Sequence, residues 1–295
     1  MESKLITVFT PTYNRGLLLE NLYKSLLKQT FTDFEWLIVD DGSKDNTKEV
    51  VAQFQAEQKI RIRYVYQANA GKHIAINTGV KHAEGLLFFI VDSDDMLPQH
   101  SLETVAKHYE MYKDKEDFCG VVGRRIYMNG KFIGSNTEIK LKFDTTLNLR
   151  YKHKIWGDLA EVYLTSVLKD YPFPDVENER FVPEAVVWNS IAKKYKVLFI
   201  NLGIYKGEYL AGGLTSKMVK IRMRSPRLSM KYYTVLASCE VPFKEKIKAY
   251  INYWRFSFNS KISFLYNLKE IGIFASIIGI PIGFFMYIRD KKRHS

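Results

Sequence analysis

Short apolar runs alternate with amphipathic stretches through the first part of the chain. The runs cover residues 4–10, 34–39, 60–66 and 86–91, and they are rich in β-branched and aromatic side chains. Runs of this length and composition predict strands, and those over residues 34–39 and 86–91 are expected to be buried. Helical spacing at residues 17–29, 46–58 and 73–83 predicts the helices between them. Strands that alternate with helices predict an α/β fold with a doubly wound, mostly parallel sheet.

The fourth apolar run ends in three carboxylates within four positions, Asp92, Asp94 and Asp95. Side chains alternate along an extended chain, so we expect Asp92 and Asp94 to project in the same direction. Crowded carboxylates raise each other's pKa, which predicts a compensating cation. Mg²⁺ or Mn²⁺ shared with a diphosphate is the metal-binding interpretation. The alternative is an acidic turn that caps the helix after Pro98.

Polar residues also follow the first two strands. Tyr13 comes after the first strand and Asp41 after the second. Ligands of doubly wound sheets bind at the carboxyl ends of the strands, so we expect these residues to meet Asp92 and Asp94 at one edge. No G-x-G-x-x-G follows the first strand and the chain has no P-loop motif, which argues against a dinucleotide-dependent dehydrogenase and a P-loop nucleotidase.

The following part of the chain has a less regular pattern. Residues 118–133 predict a hairpin that turns at Asn129-Gly130. The other expected elements are a loop then a helix over 156–171, a helix over 185–195, a strand over 197–204 and a Gly-Gly loop over 209–215.

The formal net charge of +12 is unevenly distributed. From residue 217 to the end there are sixteen Lys and Arg against four acids, so residues 1–216 carry no net charge. This division predicts a neutral catalytic domain at residues 1–215 and a basic C-terminal region at residues 216–295. Two scattered cysteines suggest a reducing compartment, and the N-terminus lacks the form of a signal peptide, so we expect a cytosolic catalytic body.

Five motifs in order, TPTYNRG, VDDGS, Gly71-Lys72-His73, DSDD and FVPEA, resemble those of the bacterial family 2 nucleotide-sugar glycosyltransferases. The resemblance covers roughly residues 4–215 and is to the branch found in capsule and cell-surface polysaccharide synthesis. It implies the GT-A fold, a Rossmann-like doubly wound sheet, and inverting transfer from a nucleotide-sugar donor with the help of Mn²⁺ or Mg²⁺.

The resemblance also implies residue roles. Tyr13 is expected to stack on the base and Asp41 to accept the base imide N–H, which favours a UDP-sugar. Lys72 is expected to approach the diphosphate. The wider set of expected nucleotide-sugar-binding residues is Pro11, Thr12, Tyr13, Asn14, Arg15, Asp41, Lys72, Asn77, Asp92, Ser93 and Asp95.

For the metal, the resemblance implies Asp94 as the direct ligand. Asp92 is expected to face the ribose or a metal-bound water, and is the second candidate metal ligand. Asp95 either reaches the sugar or caps the next helix.

Glu184 falls where the family places its general base. Its alternative interpretation is an acid that complements the macrodipole at a helix N-terminus, and Glu179 and Asp158 compete for the catalytic role. Many family members have a second acid where this chain has Ala185. An alternative function is therefore a catalytically impaired, membrane-bound nucleotide-sugar-binding or scaffolding subunit.

The C-terminal region combines basic and apolar character. Residues 242–270 show helical spacing of apolar side chains, and residues 271–288 are eighteen positions without a charge. As a helix they would span ~27 Å, marginal for a hydrocarbon core of ~30 Å, and Pro281 weakens a straight helix. A full crossing would also place the terminal Lys and Arg outside, against the positive-inside tendency.

We therefore expect a peripheral or monotopic protein that lies on, or dips into, an anionic membrane surface at the cytoplasmic face. The expected acceptor is a hydroxyl of a lipid-linked or cell-surface glycan, such as a polyprenol-linked one. The alternative is packing on the protein's own body or on a second subunit in a homo-oligomer. Nucleic acid would account for the basic residues and leave the uncharged apolar segment unexplained, so no nucleic-acid partner is expected.

Overall fold

A computed structural model describes residues 4–208 and 218–294 of the protein. The chain divides into two compact units, one of Met1–Pro172 and Lys194–Glu208, the other of Phe173–Lys193 and Tyr209–Ser295. The second unit thus contains residues 173–193, which the linear division at residue 215 had placed in the catalytic domain. That functional division stays a prediction, and the predicted Gly-Gly loop at 209–215 lies outside the described residues.

The first unit is built on one eight-stranded sheet. Its strands are β1 (Ile6–Thr12), β2 (Phe34–Asp40), β3 (Ile62–Tyr66), β4 (Leu87–Ile90), β5 (Phe118–Ile126), β6 (Leu141–Asp144), β7 (Leu159–Leu164) and β8 (Lys196–Lys206). The order across the sheet is β3-β2-β1-β4-β7-β5-β8-β6. β1, β2, β3 and β4 pair in parallel, as do β5 and β8, and the remaining pairs are antiparallel. The predicted doubly wound, mostly parallel α/β fold is confirmed.

Strand direction decides which loops meet. β7 runs antiparallel to both β4 and β5, so β5 runs in the same direction as β4, and β8 runs parallel to β5. The carboxyl ends of β1, β2, β3, β4, β5 and β8 therefore lie at one edge of the sheet. Those of β6 and β7 lie at the opposite edge. In open α/β sheets this is the edge where ligands bind.

The described residues of the first unit form six α-helices: α1 (Leu19–Leu26), α2 (Thr47–Ala56), α3 (Lys72–His82), α4 (Ser101–Tyr112), α5 (Thr146–Tyr151) and α6 (Thr165–Asp170). On one face of the sheet, Tyr23 of α1 and Phe54 of α2 stack at 4.2 Å beside Trp36. On the other face, α3 approaches so closely that a Cβ at Gly79 would lie 2.2 Å from the Phe9 ring. Both faces are covered, so β1 and β2 are buried over their whole length.

β1 continues past the predicted loop start and includes Pro11, which pairs with Val39. A proline cannot donate to a ladder and is normally confined to edges. The carbonyl of Phe9 accepts from Val91 on the β4 side, and Pro11 faces that side two residues later, where β4 has already ended at Ile90. The sheet therefore loses no hydrogen bond between β1 and β4 through the missing N–H of Pro11.

Three predictions for the middle of the chain were incomplete. The predicted hairpin at 118–133 has its turn, because Gly130 N–H donates to the Tyr127 carbonyl, but its second arm is an isolated bridge rather than a strand. β5 pairs instead with β7 and β8. β7 forms where a loop was expected, and β6 and α5 were missed. Each of these short strands depends on partners distant in sequence, which local pattern does not show.

The second unit is helical and contains α7 (Ala185–Ile191), α8 (Met218–Arg224), α9 (Pro226–Ala237), α10 (Phe243–Ser257), α11 (Phe264–Ile271) and α12 (Ile273–His294). α12 continues through Pro281, contrary to the expected weakening. A Cβ at Gly279 or Gly283 would lie 2.6–2.7 Å from carbonyl oxygens of α10, so the two helices touch backbone to backbone. Small residues spaced by four permit this approach and hold α12 on α10.

Within the described residues, one helix is long and apolar enough to cross a membrane by length and composition. This is the part of α12 over Ile273–Arg293.

Candidate active site

Three carboxylates form a turn at the carboxyl end of β4. β4 ends at Ile90, and the Asp95 N–H donates to the Asp92 carbonyl at 3.1 Å. The side-chain alternation expected of an extended chain does not apply to Asp92 and Asp94, because residues 92–95 form a turn. The helix-capping alternative is not supported, since α4 begins at Ser101 without a side-chain cap. Ser93 is buried within the turn.

Each of these carboxylates has a cationic neighbour from another part of the first unit. Lys72 Nζ lies 2.6 Å from Asp92 Oδ1, and Arg15 lies 2.8 Å from Asp94 Oδ2. The Arg125 guanidinium is 3.9 Å from Asp95 Oδ2. The crowded negative charge is thus compensated by the protein's own cations, which come from the ends of β1 and β5 and from the start of α3.

These surroundings move two pKa values in opposite directions. Burial, with the neighbouring charges of Asp92 and Asp94, raises the pKa of Asp95 to about 6 against the lowering effect of its Tyr205 hydrogen bond. Burial also acts on Asp92, but the charges of Lys72, Arg125 and Arg15 outweigh it and lower the pKa of that carboxyl. The turn therefore keeps Asp92 ionised and leaves Asp95 close to half protonated at pH 6.

Asp41 organises the loop that presents Lys72. Its buried carboxylate accepts hydrogen bonds from the backbone N–H groups of Ala70 (2.9 Å) and Gly71 (2.8 Å) and from the Gln67 amide (2.7 Å). Gly71 has φ of +101°, a conformation that favours glycine. Lys72 follows as the first residue of α3. A carboxylate has about four acceptor positions, so Asp41 keeps capacity for a further donor such as a base N–H.

The segment after β1 contributes Tyr13, Asn14 and Arg15. Tyr13 is 45% exposed beside the carboxyl end of β1, a position open to a stacking partner. Asn14 links this segment to the one after β2, because its N–H donates to Ser43 Oγ and its side chain accepts from the Lys44 N–H, both at 2.8 Å. The Thr12 hydroxyl is buried with no hydrogen-bond partner among the described residues. Such a group is available to a ligand.

Sequence reasoning assigned no role to Tyr205 or Arg125. The Tyr205 hydroxyl donates to Asp95 Oδ2 at 2.6 Å and accepts from the Asp92 N–H at 3.0 Å, so it fixes both ends of the acidic turn. Arg125 lies over the Tyr205 ring at 4.0 Å. A Cβ at Gly207 would lie 2.1 Å from Asp95 Oδ1, so a larger residue there would displace the Asp95 carboxylate. The signal for these residues was their position at the ends of β5 and β8, usable only once both strands are known to run parallel to β4.

Glu184 belongs to the second unit, directly before α7, and makes no side-chain cap there. Its catalytic role stays a prediction, as does the macrodipole alternative. Glu179, which competes with it for the catalytic role, is already hydrogen-bonded at the start of α9. Its two carboxylate oxygens accept from the backbone N–H groups of Arg227 (3.0 Å) and Leu228 (2.8 Å). Asp158 is exposed just before β7 in the first unit. Asn77 lies half-buried in α3, within the helix predicted at residues 73–83.

The donor set at the acidic turn fits a hard divalent cation. No group of three or more His, Cys, Asp or Glu positioned to hold a metal occurs among residues 4–208 and 218–294. Mg²⁺ sites of nucleotide enzymes commonly use only one or two carboxylates, with phosphate oxygens of the substrate completing the shell. Asp92 and Asp94 could supply such a pair.

Comparison with known proteins agrees with this arrangement. Residues 7–168, more than half of the chain, match the profile described as glycosyl transferase family 2. A relative from Escherichia coli, UDP-Glc:alpha-D-GlcNAc-diphosphoundecaprenol beta-1,3-glucosyltransferase WfgD, is 29% identical over 213 residues, which cover 71% of this chain and 78% of the relative. Two other bacterial relatives are 35–37% identical, but the match spans only 33–37% of their length.

Solved structures show the same fold at low identity. S. aureus TarS in complex with UDP-GlcNAc superposes with a TM-score of 0.68 at 19% identity, covering 98% of this chain and 89% of that one. The mannosyltransferase PcManGT from Pyrobaculum calidifontis, in complex with GDP-Man and Mn²⁺, gives a TM-score of 0.59 at 15% identity, covering 100% and 88%. The predicted GT-A-like fold is thereby confirmed.

The extent of the family match, on a sheet whose carboxyl edge carries four of the five expected motifs, confirms the predicted family: the chain belongs to glycosyl transferase family 2.

Proposed function

We propose that this protein transfers a sugar from a UDP-sugar to a hydroxyl of a lipid-linked glycan, with inversion at the anomeric carbon and with Mn²⁺ or Mg²⁺. The observation that supports it most is the acidic turn at residues 92–95 beside Arg15 and Lys72. Carboxylates and cations placed side by side suit a diphosphate and its metal ion. The named E. coli relative uses UDP-Glc and an undecaprenol-linked acceptor, and PcManGT holds Mn²⁺.

The proposed roles of the first-unit residues are assigned from their positions around the acidic turn, and the role of Glu184, in the second unit, from its sequence motif alone. Asp94 and Asp92 hold the cation, which when bound neutralises charge on the leaving diphosphate. Arg15 and Lys72, each more than a third exposed, turn from the carboxylates to the phosphate oxygens. Tyr13 stacks on the base, and Asp41 accepts its imide N–H at the remaining acceptor position. Glu184 removes the proton of the acceptor hydroxyl.

Membrane association belongs to the same proposal. The undecaprenol-linked acceptor of the named relative is a membrane lipid, and α12 is apolar enough to interact with one. We place the protein at the cytoplasmic face as a peripheral or monotopic enzyme.

The first test is calorimetric titration of UDP, GDP, CDP and dTDP, each with and without Mn²⁺. We expect UDP to bind with Mn²⁺, and Asp94→Ala to weaken that binding by about tenfold or more, because the cation loses a charged ligand. Asp114→Ala removes an exposed acid outside the site and is the matched control. Nucleotide binding that is indifferent to both Mn²⁺ and Asp94 would remove the metal site.

A second arm of the same test separates an enzyme from the scaffolding alternative. Glu184→Gln should keep UDP binding and lower sugar transfer by about 10²–10⁴-fold, the usual contribution of a general base. Donor binding without transfer or donor hydrolysis in the unmodified protein would favour the catalytically impaired subunit.

A further inference from the structure

The exposed side of α12 is a continuous apolar stripe, formed by Ile273, Phe274, Ile277, Pro281, Phe284, Phe285 and Ile288. Its large side chains are 36–70% exposed. At 3.6 residues per turn, all seven positions fall within about 120° of the helix circumference and extend over about 22 Å. Soluble monomers rarely expose contiguous apolar surface of this kind, and a stripe of such length indicates a binding surface.

The opposite side of α12 is small or polar and is buried on α10. Ser276 accepts a hydrogen bond from the Trp254 indole N–H at 3.2 Å, and Gly279 and Gly283 contact the α10 backbone. Near the C-terminal end, Asp290 is 3% exposed and pairs with Arg255 of α10 at 2.5 Å. Moving α12 away from α10 into the hydrocarbon would take the Asp290 charge there without its partner, which is strongly unfavourable.

This packing opposes a transmembrane arrangement of α12. A crossing helix would either leave α10, breaking the Arg255–Asp290 pair, or bring α10 into the hydrocarbon with it. α10 carries Lys244, Lys246 and Lys248, and charges within a bilayer are costly. With one face fixed on α10 and the other apolar, α12 is suited to lie in the plane of an interface.

The basic residues at the C-terminal end of the stripe indicate which kind of interface α12 binds. Lys291 and Lys292 are exposed, and at 100° per residue they continue the angular range of the stripe beyond Ile288. Arg289 is exposed beside them. Lysine side chains can extend from an apolar boundary to the lipid headgroups, and each is attracted to an anionic surface.

We propose that the apolar stripe of α12 is the membrane-docking surface of this protein, that it lies flat in an anionic leaflet, and that α10 holds it in that orientation. This surface would bring the enzyme of the proposed function to its membrane. Only the identity of the lipid acceptor rests on that proposed function. Binding to vesicles and binding of UDP are measured separately, so failure of one leaves the other standing.

The experiment is co-sedimentation of the full chain with vesicles of phosphatidylcholine alone or of one part phosphatidylglycerol to two parts phosphatidylcholine. We expect binding to the anionic vesicles, and Phe274→Glu combined with Phe285→Glu should lower the partition coefficient by about tenfold or more. Met111→Glu, which changes a residue of α4 that is 57% exposed, is the matched control and should leave binding unchanged. Both positions belong to the second unit, whereas the proposed UDP-binding residues belong to the first, so we expect UDP titrations to be unaffected.

A second pair of substitutions tests the charged end and does not depend on the glutamate variant folding. Lys291→Gln with Lys292→Gln should weaken binding to anionic vesicles severalfold and leave the weaker binding to neutral vesicles unchanged. Alkaline carbonate should release the bound protein, as expected for a protein that does not cross the bilayer.

Three results would overturn the proposal. One is resistance to carbonate, which would indicate a span. Another is vesicle binding that the glutamate variant retains in folded form. The third is a dimer in light scattering that the glutamate variant makes monomeric, with no vesicle binding by either, which would assign the stripe to a second copy of the chain.

Discussion

At the residue scale, the acidic turn depends on one hydroxyl group that no sequence motif indicated. Tyr205 donates to Asp95 and accepts from the Asp92 backbone, so a single side chain from β8 fixes the conformation of the turn. The neighbouring Arg125 contacts the ring of the same tyrosine. The turn that carries the proposed metal ligands is thus fixed by a residue more than a hundred positions later in the chain.

The pKa of Asp95 gives this contact a pH-dependent signature. Burial raises the pKa of Asp95 to about 6 in the folded protein, above its unfolded value of about 4. The stability contributed by this group is therefore present below pH 4 and is lost as pH rises to 6. The Tyr205 hydrogen bond favours the ionised carboxylate and limits that loss.

Tyr205→Phe should therefore destabilise the protein more at pH 8 than at pH 5. At pH 8 Asp95 is ionised and loses a charged hydrogen bond, at a cost of about 1.5–3 kcal/mol. At pH 5 it is mostly protonated, and the smaller lost bond to the Asp92 N–H dominates. Urea unfolding in metal-free buffer at both pH values measures the difference. Tyr66→Phe, at a residue that is 61% exposed, is the control, and an equal loss at both pH values would contradict the coupling.

At the scale of elements, the strand ends place the candidate site residues, and two glycines place α12 on α10. The predicted strands β1, β2 and β4 each lead to a segment with a candidate site residue, because parallel strands bring their carboxyl ends to one edge. In the helical unit, Gly279 and Gly283 let α12 lie on α10, and this contact turns a moderately apolar segment into a helix with one apolar face.

Gly279→Val should disrupt the contact between α10 and α12. The added Cβ would lie 2.6 Å from both Trp254 Cδ1 and the Tyr250 carbonyl oxygen, so the helices must separate. We expect a loss of about 1–3 kcal/mol in the free energy of unfolding, the usual cost of overpacking. Thermal unfolding followed by circular dichroism measures it. Ile277→Val, at a residue that is 70% exposed on the same helix, should have little effect. Comparable losses in both variants would contradict the close packing.

At the scale of the whole molecule, each compact unit contains one buried cysteine, Cys119 in the first and Cys239 in the second. Burial raises the pKa of both thiols, and only the thiolate reacts at an appreciable rate. Each cysteine therefore reports whether its own unit is folded.

We expect both thiols to react with Ellman's reagent about 100-fold or more slowly in the native protein than in denaturant. Pulsed labelling along a urea titration, with the two peptides resolved by mass spectrometry, then gives an unfolding midpoint for each unit. Rapid labelling of either cysteine in native buffer would contradict the burial of that thiol.

The hydrophobic period and the short motifs of the sequence were enough to predict much of this protein. The buried strands β1, β2 and β4, the helices between them, the polar segments after them and the family all followed from the sequence, because each rests on hydrophobic period and short motifs. Among the candidate site residues, Arg15, Lys72, Asp92, Asp94 and Asp95 meet at one edge of the sheet.

Only the tertiary structure decided the rest. β6 and β7, the turn at residues 92–95, and the contacts of Tyr205 and Arg125 depend on partners far away in sequence. The use of Glu179 as a cap for α9, and the division of α12 into a buried and an exposed face, also depend on such partners. A strand of four to six residues is stabilised by the neighbouring strand, and a paired carboxylate by its donor or cation. The sequence contains these partners but does not show which of them come into contact.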